Sequence, residues 1–169
     1  VVCAPLVDGA RHPRFRFQPL AAPSSGNRTA MDVETVKAWQ TKGEMEYLGA
    51  TNAVRPQIAA ASCIELPSYR EGAPRTPIEA AAMARPLIAT DVPGCRAVLD
   101  QSVTGLLCEV RSADSLAAAC EAFMALSSKE RAEMGQAGRA KMAREFDHSI
   151  VVDAYRKALD DLSLAPIHP

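Results

Sequence analysis

The sequence has few aromatic residues and lacks the spacings that mark metal or redox sites. One Trp, three Tyr and four Phe stand among 169 residues, whereas alanine is plentiful. This composition favours small aliphatic cores with helices packed closely on a sheet over an all-β sandwich. The five cysteines form no Cys-x-x-Cys pair and the three histidines are scattered. We therefore expect no metal site, and cysteines that are small buried residues in a reducing compartment.

Strong net charge and long apolar runs are also missing. Nineteen Lys and Arg against 20 Asp and Glu leave a formal charge of −1, so the chain has no overall basic field for nucleic acid or anionic lipid. The longest apolar stretches, such as residues 58–64, are far shorter than the ~20 residues that cross a bilayer, and no signal segment opens the chain. We expect a soluble cytoplasmic protein with one domain over residues 1–169.

Strand patterns alternate with helix patterns along most of the chain. The predicted strands are residues 14–18, 45–48, 63–66, 86–90 and 105–108. The predicted helices between them are residues 32–41, 54–61, 75–84 and 95–99, and residues 1–10 read as the remains of a further helix. This order predicts an α/β fold with a Rossmann-like parallel sheet flanked by helices, whose ligand site lies off the carboxyl ends of the strands.

The last third of the chain is predicted to be helical. Residues 116–124 carry one apolar face, Ser127 and Glu130 form a capping box, and Asp147 is the expected N-cap of a final helix. That helix carries an apolar stripe that needs a surface to pack against: Ile150, Val151, Ala154, Tyr155, Ala158, Leu159 and Leu162.

The segment 66–79 leaves a strand, crosses a loop rich in Gly and Pro, and enters a helix. Backbone amides at a helix start lack partners, so residues 73–76 are a candidate phosphate site, flanked by Arg70 and Arg75. The carboxylates of Glu71 and Glu79 could each accept hydrogen bonds from two neighbouring sugar hydroxyls. The pattern predicts a site for an anion and a polyol.

Structural explanations exist for the same residues. Thr76 to Glu79 fits a capping box with Pro77 at the first helical position, and Gly72 would then only mark a turn. Arg70 and Arg75 could be solvated surface charges. Asp91 at a strand end could be catalytic, or could cap the turn through residues 93–94.

Residues 66–96, LPSYREGAPRTPIEAAAMARPLIATDVPGCR, resemble the donor-binding segment of group 1 (family 4) retaining glycosyltransferases. The resemblance includes the Glu-x7-Glu motif as Glu71 and Glu79, and it extends from about Ala10 to the terminal helix. The sequence of this segment is most similar to that of transferases that build bacterial polysaccharide on polyprenyl diphosphates from UDP-sugars.

The resemblance implies the GT-B fold of two Rossmann domains, of which this chain is the C-terminal donor-binding half. The N-terminal acceptor domain would be absent, and the terminal helix, residues 147–164, would pack toward it. The full enzyme would transfer a hexosyl or acetylhexosaminyl group, with retention, in the synthesis of cell-surface polysaccharide, lipopolysaccharide or lipid-linked glycan. It would work in the cytoplasm at the inner face of the membrane, and this chain alone would be inactive.

The resemblance also assigns roles to single residues. Glu71 would be catalytic and contact hydroxyls of the transferred sugar, and Glu79 would hold the ribose hydroxyls. The backbone of Gly72, Ala73 and Pro74 would approach the sugar and diphosphate, and amides near Arg75 and Thr76 would take phosphate oxygens. The loop from Gly49 to Thr51 would lie near the base. No metal or cofactor is implied, so arginines and helix ends must meet the leaving-group charge.

Several features depart from the family. This chain lacks the Gly-Arg and Lys-Gly pair that neutralises the diphosphate in the family. It also lacks the family's His near the transferred sugar. Pro77 replaces a helix former, which is tolerable only if the helix begins no more than one turn earlier. Ala97 replaces an acidic residue, and Gln101-Ser102 replaces an Asp-Gly turn.

Two other functions remain open at this point. A sugar-nucleotide 2-epimerase shares the two-domain fold but fits the motif less well. A non-catalytic, receiver-like interaction module would use Asp91 as its acid, but would want further acidic residues at strand ends and a Lys on a late strand.

Overall fold

The computed structural model describes residues 2–5, 15–19, 33–43 and 45–163. The strands are β1 (Val2–Pro5), β2 (Phe15–Gln18), β3 (Cys63–Leu66), β4 (Leu87–Thr90) and β5 (Gly105–Cys108). The helices are α1 (Val33–Thr41), α2 (Val54–Ala60), α3 (Arg75–Ala82), α4 (Pro93–Val98), α5 (Ala113–Ala125), α6 (Ser128–Glu145) and α7 (His148–Ser163).

The strands form one sheet in the order β2-β1-β3-β4-β5. Strands β3, β4 and β5 are parallel and are connected through α3 and α4, as the alternating pattern predicts. Every residue of β4 is buried, as expected for a central strand covered on both faces. The α/β class and the helical C-terminal third are thus confirmed, and the ends of β3 and β4 lie side by side.

The other edge of the sheet differs from the prediction. Residues 2–5, which read as helix, form strand β1, and this strand is antiparallel to both β2 and β3. A helix over residues 1–10 would place Pro5 in its interior and lose a backbone hydrogen bond, whereas Pro5 is acceptable as the last residue of a short strand.

Residues 45–48 are not a strand, contrary to the prediction. The amides of Glu46 and Leu48 donate to the carbonyls of Phe17 and Pro19, at 2.9 and 3.1 Å, but no regular ladder forms. Gly49 then turns the chain with a φ of 74°. The apolar residues of this segment therefore run beside β2 without extending the sheet.

Two apolar cores lie on the two faces of the sheet. Helices α2, α3 and α4 cover one face, where Ile58, Leu87 and Val98 are fully buried together with several alanines. Helix α5 covers the other face, where Phe123 packs against Ile88. The small-residue core predicted from composition is confirmed.

Four of the cysteines, Cys63, Cys95, Cys108 and Cys120, are free and buried, as predicted. The side chain of Cys3 lies outside the described residues. One thiol has a polar partner as well: Cys120 donates to a carboxylate oxygen of Glu65 at 3.2 Å inside the core. Burial and the nearby Glu65 charge raise the pKa of Cys120, which therefore stays a neutral thiol.

Both predicted helix starts in the last third are confirmed. Ser127 and Glu130 form a reciprocal capping box at the start of α6, with distances of 2.7 and 3.2 Å. The carboxylate of Asp147 accepts the amide of Ser149 at 2.8 Å at the start of α7. Asp32, the expected N-cap of α1, lies outside the described residues.

Helix α7 exposes its apolar stripe. The exposed fraction of Ile150 is 45%, and that of Tyr155 and Leu162 about 70%. None of the described helices has the length and apolar character needed to cross a membrane.

Candidate functional site

The loop between β3 and α3, residues 67–74, is fixed at its start by the end of β4. The hydroxyl of buried Thr90 accepts the amide of Ser68 at 2.8 Å and reaches the carbonyl of Leu66 at 3.4 Å. The Ser68 hydroxyl in turn donates to the carbonyl of Arg70 at 3.1 Å. Hydrogen bonds from a buried strand thus hold the first residues of the loop.

A cavity of about 400 Å³ lies beside this loop. It opens where β3 and β4 end, which is the position predicted for a ligand site in a parallel sheet. Four lining residues belong to the loop, and two lie where the chain enters α4. They are Tyr69, Arg70, Glu71, Gly72, Val92 and Pro93.

Three of the lining residues were not predicted. Tyr69, Val92 and Pro93 were all part of the quoted segment 66–96, but none of them had a role in the site assigned. A signal was present, since Val92 and Pro93 come within three residues of the end of β4, and parallel neighbouring strands bring the segments after their ends together.

The start of α3 is not a capping box. The helix begins at Arg75, with Pro74 as the N-cap residue and no side-chain hydrogen bond to its first turn. Pro77 is therefore the third helical residue, where its missing N–H costs no helical hydrogen bond. The capping-box interpretation of Glu79 is wrong, and the condition set for Pro77 is met.

Glu79 pairs instead with Arg75. Its carboxylate lies 3.6 Å from the guanidinium, and the Arg75 side chain is 90% exposed. An exposed pair of this kind contributes little to stability, so a ligand can replace it at low cost. The amides of Arg75 and Thr76 are in the first turn, where no helical carbonyl is available to them.

Asp91 does not cap the turn that follows it. Val92 is the N-cap residue of α4 and no side chain caps that helix. The Asp91 carboxylate instead pairs with Arg96 at 3.2 Å, and both side chains are about half exposed. The capping interpretation is wrong because the chain enters α4 one residue later.

A neutral thiol lies behind the cavity. Burial raises the pKa of Cys95 to about 11, and the negative charge of Glu71 contributes to the rise. Cys95 is 1% exposed in α4, next to the residues that line the cavity. In the part of the chain that the structure describes, no three His, Cys, Asp or Glu side chains are grouped as metal ligands.

The predicted site residues are therefore only partly brought together. Glu71 and Gly72 line the cavity, Ala73 and Pro74 lead out of it, and α3 carries Arg75, Thr76 and Glu79. Gly49 and Thr51 are not among the lining residues; the Thr51 hydroxyl accepts the amide of Ala53 just before α2.

A curated protein of Campylobacter jejuni is similar to this chain. It is 28% identical over 119 residues, which are 70% of this chain and 31% of the relative. The relative is named N,N'-diacetylbacillosaminyl-diphospho-undecaprenol alpha-1,3-N-acetylgalactosaminyltransferase. This chain thus spans about a third of the length of that relative.

Solved structures share the fold. A glycosyltransferase of Rickettsia africae superposes with a TM-score of 0.78 at 19% identity, over 92% of this chain and 42% of its own. HepE of Anabaena, solved with UDP, has a TM-score of 0.68 at 18% identity, over 76% of this chain and 36% of its own. HepE has also been solved with UDP-glucose.

A sequence model of one protein family matches residues 21–125, more than half of the chain, and the match includes the cavity loop and α3. The description of that family is "Glycosyl transferases group 1". The chain therefore belongs to the group 1 glycosyl transferases.

Proposed function

We propose that this chain is the part of a glycosyltransferase that binds a nucleoside-diphosphate sugar, with UDP as the nucleotide. The observation that carries the proposal is the position of Glu71. This residue lines the cavity at the ends of β3 and β4, in the loop that leads into the helix that carries Glu79. Family membership and the UDP complexes of HepE support it.

The diphosphate is proposed to lie at the start of α3. The unpartnered amides of Arg75 and Thr76 and the positive end of the helix dipole favour an anion there. Arg70 lines the cavity and Arg75 is exposed beside it, so two guanidinium groups can approach the phosphates. We expect these groups to meet the leaving-group charge, and donor binding to be unchanged by EDTA or added Mg²⁺.

The two glutamates are proposed to hold the two sugars of the donor. Glu71 would accept hydrogen bonds from hydroxyls of the transferred sugar and act in a transfer with retention. Glu79 would leave Arg75 and accept the ribose hydroxyls, a change that the exposure of their ion pair makes inexpensive. The loop from Gly49 to Thr51 would lie near the base once the donor is bound.

The acceptor is proposed to bind to a second Rossmann domain outside these residues. This chain spans 31% of the Campylobacter relative, whose name contains a diphospho-undecaprenol acceptor. We propose an acceptor of that lipid-linked class, met in the cytoplasm at the inner membrane face. The exposed apolar residues of α7, such as Ile150 and Leu162, would pack against that domain, and the chain alone would bind donor without transferring sugar.

Neither of the two other functions gains support. A receiver-like module would need Asp91 as a free acid among further acids, whereas Asp91 pairs with Arg96. A 2-epimerase is not favoured by the family match or by the transferase name of the relative.

Titration with UDP tests the proposal. We expect saturable binding of UDP, weaker binding of ADP, and an approximately tenfold higher Kd in Glu79→Gln, since one charge-assisted pair of hydrogen bonds is worth about 1.4 kcal/mol or more. Glu133→Gln is the matched control, because Glu133 lies on α6 in an exposed pair with Lys129. The absence of UDP binding, both by this chain and by a longer protein that contains it, would refute the proposal.

A further inference from the structure

We infer that Gly94 is a positioning residue of the donor site, because it is the point at which the loop that carries Glu71 rests on α4. The inference deepens the proposed function and rests on it for its effect on transfer. Its structural part, the contact between Gly94 and the loop, can be tested without any ligand.

The contact is between backbone atoms. A Cβ atom on Gly94 would lie 2.2 Å from the carbonyl oxygen of Gly72 and 2.4 Å from that of Glu71. It would also lie 2.7 Å from the carbonyl carbon of Glu71. Real Cβ contacts are not so short, and a backbone carbonyl cannot rotate away as a side chain can. Close approach, and not an unusual φ, is what requires glycine at this position.

The contact constrains two peptide groups. In a trans peptide the C=O and the N–H point in opposite directions. The carbonyl of Glu71 shares its plane with the amide of Gly72, and the carbonyl of Gly72 shares its plane with the amide of Ala73. The carbonyl of Gly72 meets Gly94 with its oxygen, so the N–H of Ala73 in the same plane is directed away from α4, whereas the carbonyl of Glu71 lies side-on, with its oxygen and carbon at similar distances.

The side of the loop away from Gly94 is open. A Cβ built on Gly72 meets no atom within 4 Å, although Gly72 lines the cavity. The loop therefore rests on Gly94 with one side and is open on the other. The N–H of Ala73 and the backbone that carries the Glu71 side chain are held in place before a sugar or phosphate arrives, which is the condition for preorganised stabilisation of charge.

The two neighbouring elements differ in how easily they can move. Cys95 and Val98 anchor α4, since both are 1% exposed in the core. The loop has an exposed residue at Gly72 and borders the cavity. In Gly94→Ala we therefore expect the loop to move, by about 1 Å, and a misplacement of that size at a reacting group can reduce the rate about 100-fold.

This displacement would separate sugar transfer from nucleotide binding. Glu71 lies in the loop, whereas Glu79 lies on α3, a helix that packs on α6 and begins after the loop. Gly94→Ala is expected to lower kcat/KM for the UDP-sugar about 100-fold, while the Kd for UDP rises by about fivefold at most, because Arg70 lies in the displaced loop whereas Arg75 and Glu79 lie on α3. A residue needed only for folding would lower UDP affinity and Tm together.

The matched control is Gly138→Ala. Gly138 is also buried, but the nearest atom to an added Cβ is 3.6 Å away, an ordinary contact. The control should keep the wild-type Kd for UDP and kcat/KM, and its Tm should be equal to or above that of wild type, because alanine is a better helix former than glycine inside α6. Turnover is measured on the longer protein that includes the acceptor domain, and UDP binding on both proteins.

NMR of this chain tests the contact itself. In wild type we expect NOEs between the α-protons of Gly94 and protons of residues 71–73, and in Gly94→Ala amide shift changes concentrated in those residues. Missing NOEs would overturn the inference even if Gly94→Ala does not fold. Wild-type turnover in Gly94→Ala, or equal losses of UDP affinity and turnover, would also overturn it. If UDP does not bind to wild type, the proposed function fails, whereas the NOEs still decide on the contact.

Discussion

The guanidinium of Arg111 lies over the ring of Tyr69, 5.1 Å from its centre. Tyr69 is in the wall of the cavity, and Arg111 follows β5 in the left-handed region, with a φ of 60°. The cavity wall is therefore supported from three neighbouring strands: β3 provides the loop, β4 leads to Val92 and Pro93, and β5 leads to the arginine that covers the tyrosine.

Arg111→Ala should lower the free energy of unfolding by about 0.5–1 kcal/mol, the usual value of an exposed cation–π contact. It should also shift the ring protons of Tyr69 in NMR spectra. Arg111→Lys keeps the cation and should have a smaller effect on both. Unchanged ring shifts in Arg111→Ala would show that the two side chains do not associate in solution.

The contact between Arg111 and Tyr69 could not be predicted from the sequence, although much of its surroundings could. The order of strands and helices predicted β3 to β5, and the segment around Glu71 predicted the loop at their ends. Nothing local links a tyrosine to an arginine that follows the next strand but one. Such pairs depend on register and on a left-handed residue, which are properties of the folded sheet.

The errors of the prediction have a similar origin. Thr76 to Glu79 satisfied the capping-box pattern, but the helix begins one residue before Thr76, at Arg75. Thr76 is therefore already inside the helix and cannot be its N-cap residue. Residues 2–5 are a strand because β2 and β3 offer them hydrogen-bonding partners, and that pairing is not visible in a ten-residue window.

Thr90→Val should destabilise the protein by about 1 kcal/mol, because it leaves the partly buried amide of Ser68 without its acceptor. Thr90→Ser keeps the hydroxyl and should lose less. Urea unfolding gives the free energies, and hydrogen exchange of the Ser68 amide reports on the bond. Equal stability of Thr90→Val and wild type, with Ser68 still protected, would contradict this role.

Glu130 should make stability depend on pH in the acid range. Hydrogen bonds from Ser127 lower the pKa of Glu130 in the folded protein. Between the folded pKa and the usual value of about 4.3, the unfolded chain binds more protons, so this contribution is present above about pH 4.3 and is lost as the pH falls through the folded pKa.

Glu130→Gln should therefore flatten the fall of Tm below about pH 4.3. Glu133→Gln, one turn later on the same helix and outside the capping box, should keep the wild-type slope. Parallel Tm curves for Glu130→Gln and wild type would contradict the assignment.

Ala84→Gly should stabilise the protein by about 1 kcal/mol. Ala84 lies two residues after the end of α3 and has a φ of 56°, while the amide of Arg85 returns to the carbonyl of Ala80 at 2.9 Å. Glycine adopts this left-handed conformation without the steric penalty that alanine carries. Ala82→Gly, at an exposed position with helical backbone, should instead lose about 0.5–1 kcal/mol. Destabilisation by both changes in urea unfolding would contradict the prediction.

Arg70→Ala should weaken UDP binding, because Arg70 lines the cavity beside the proposed phosphate position. An exposed cation near a diphosphate is expected to contribute about 1 kcal/mol, or roughly a fivefold change in Kd, at low salt. Salt at about 1 M reduces the screening length to about 3 Å, so the difference between Arg70→Ala and wild type should shrink there. Arg139→Ala removes an exposed arginine from α6 and should leave the Kd unchanged at both salt concentrations. If Arg70→Ala and Arg139→Ala bind UDP equally well at low salt, the diphosphate does not lie next to Arg70.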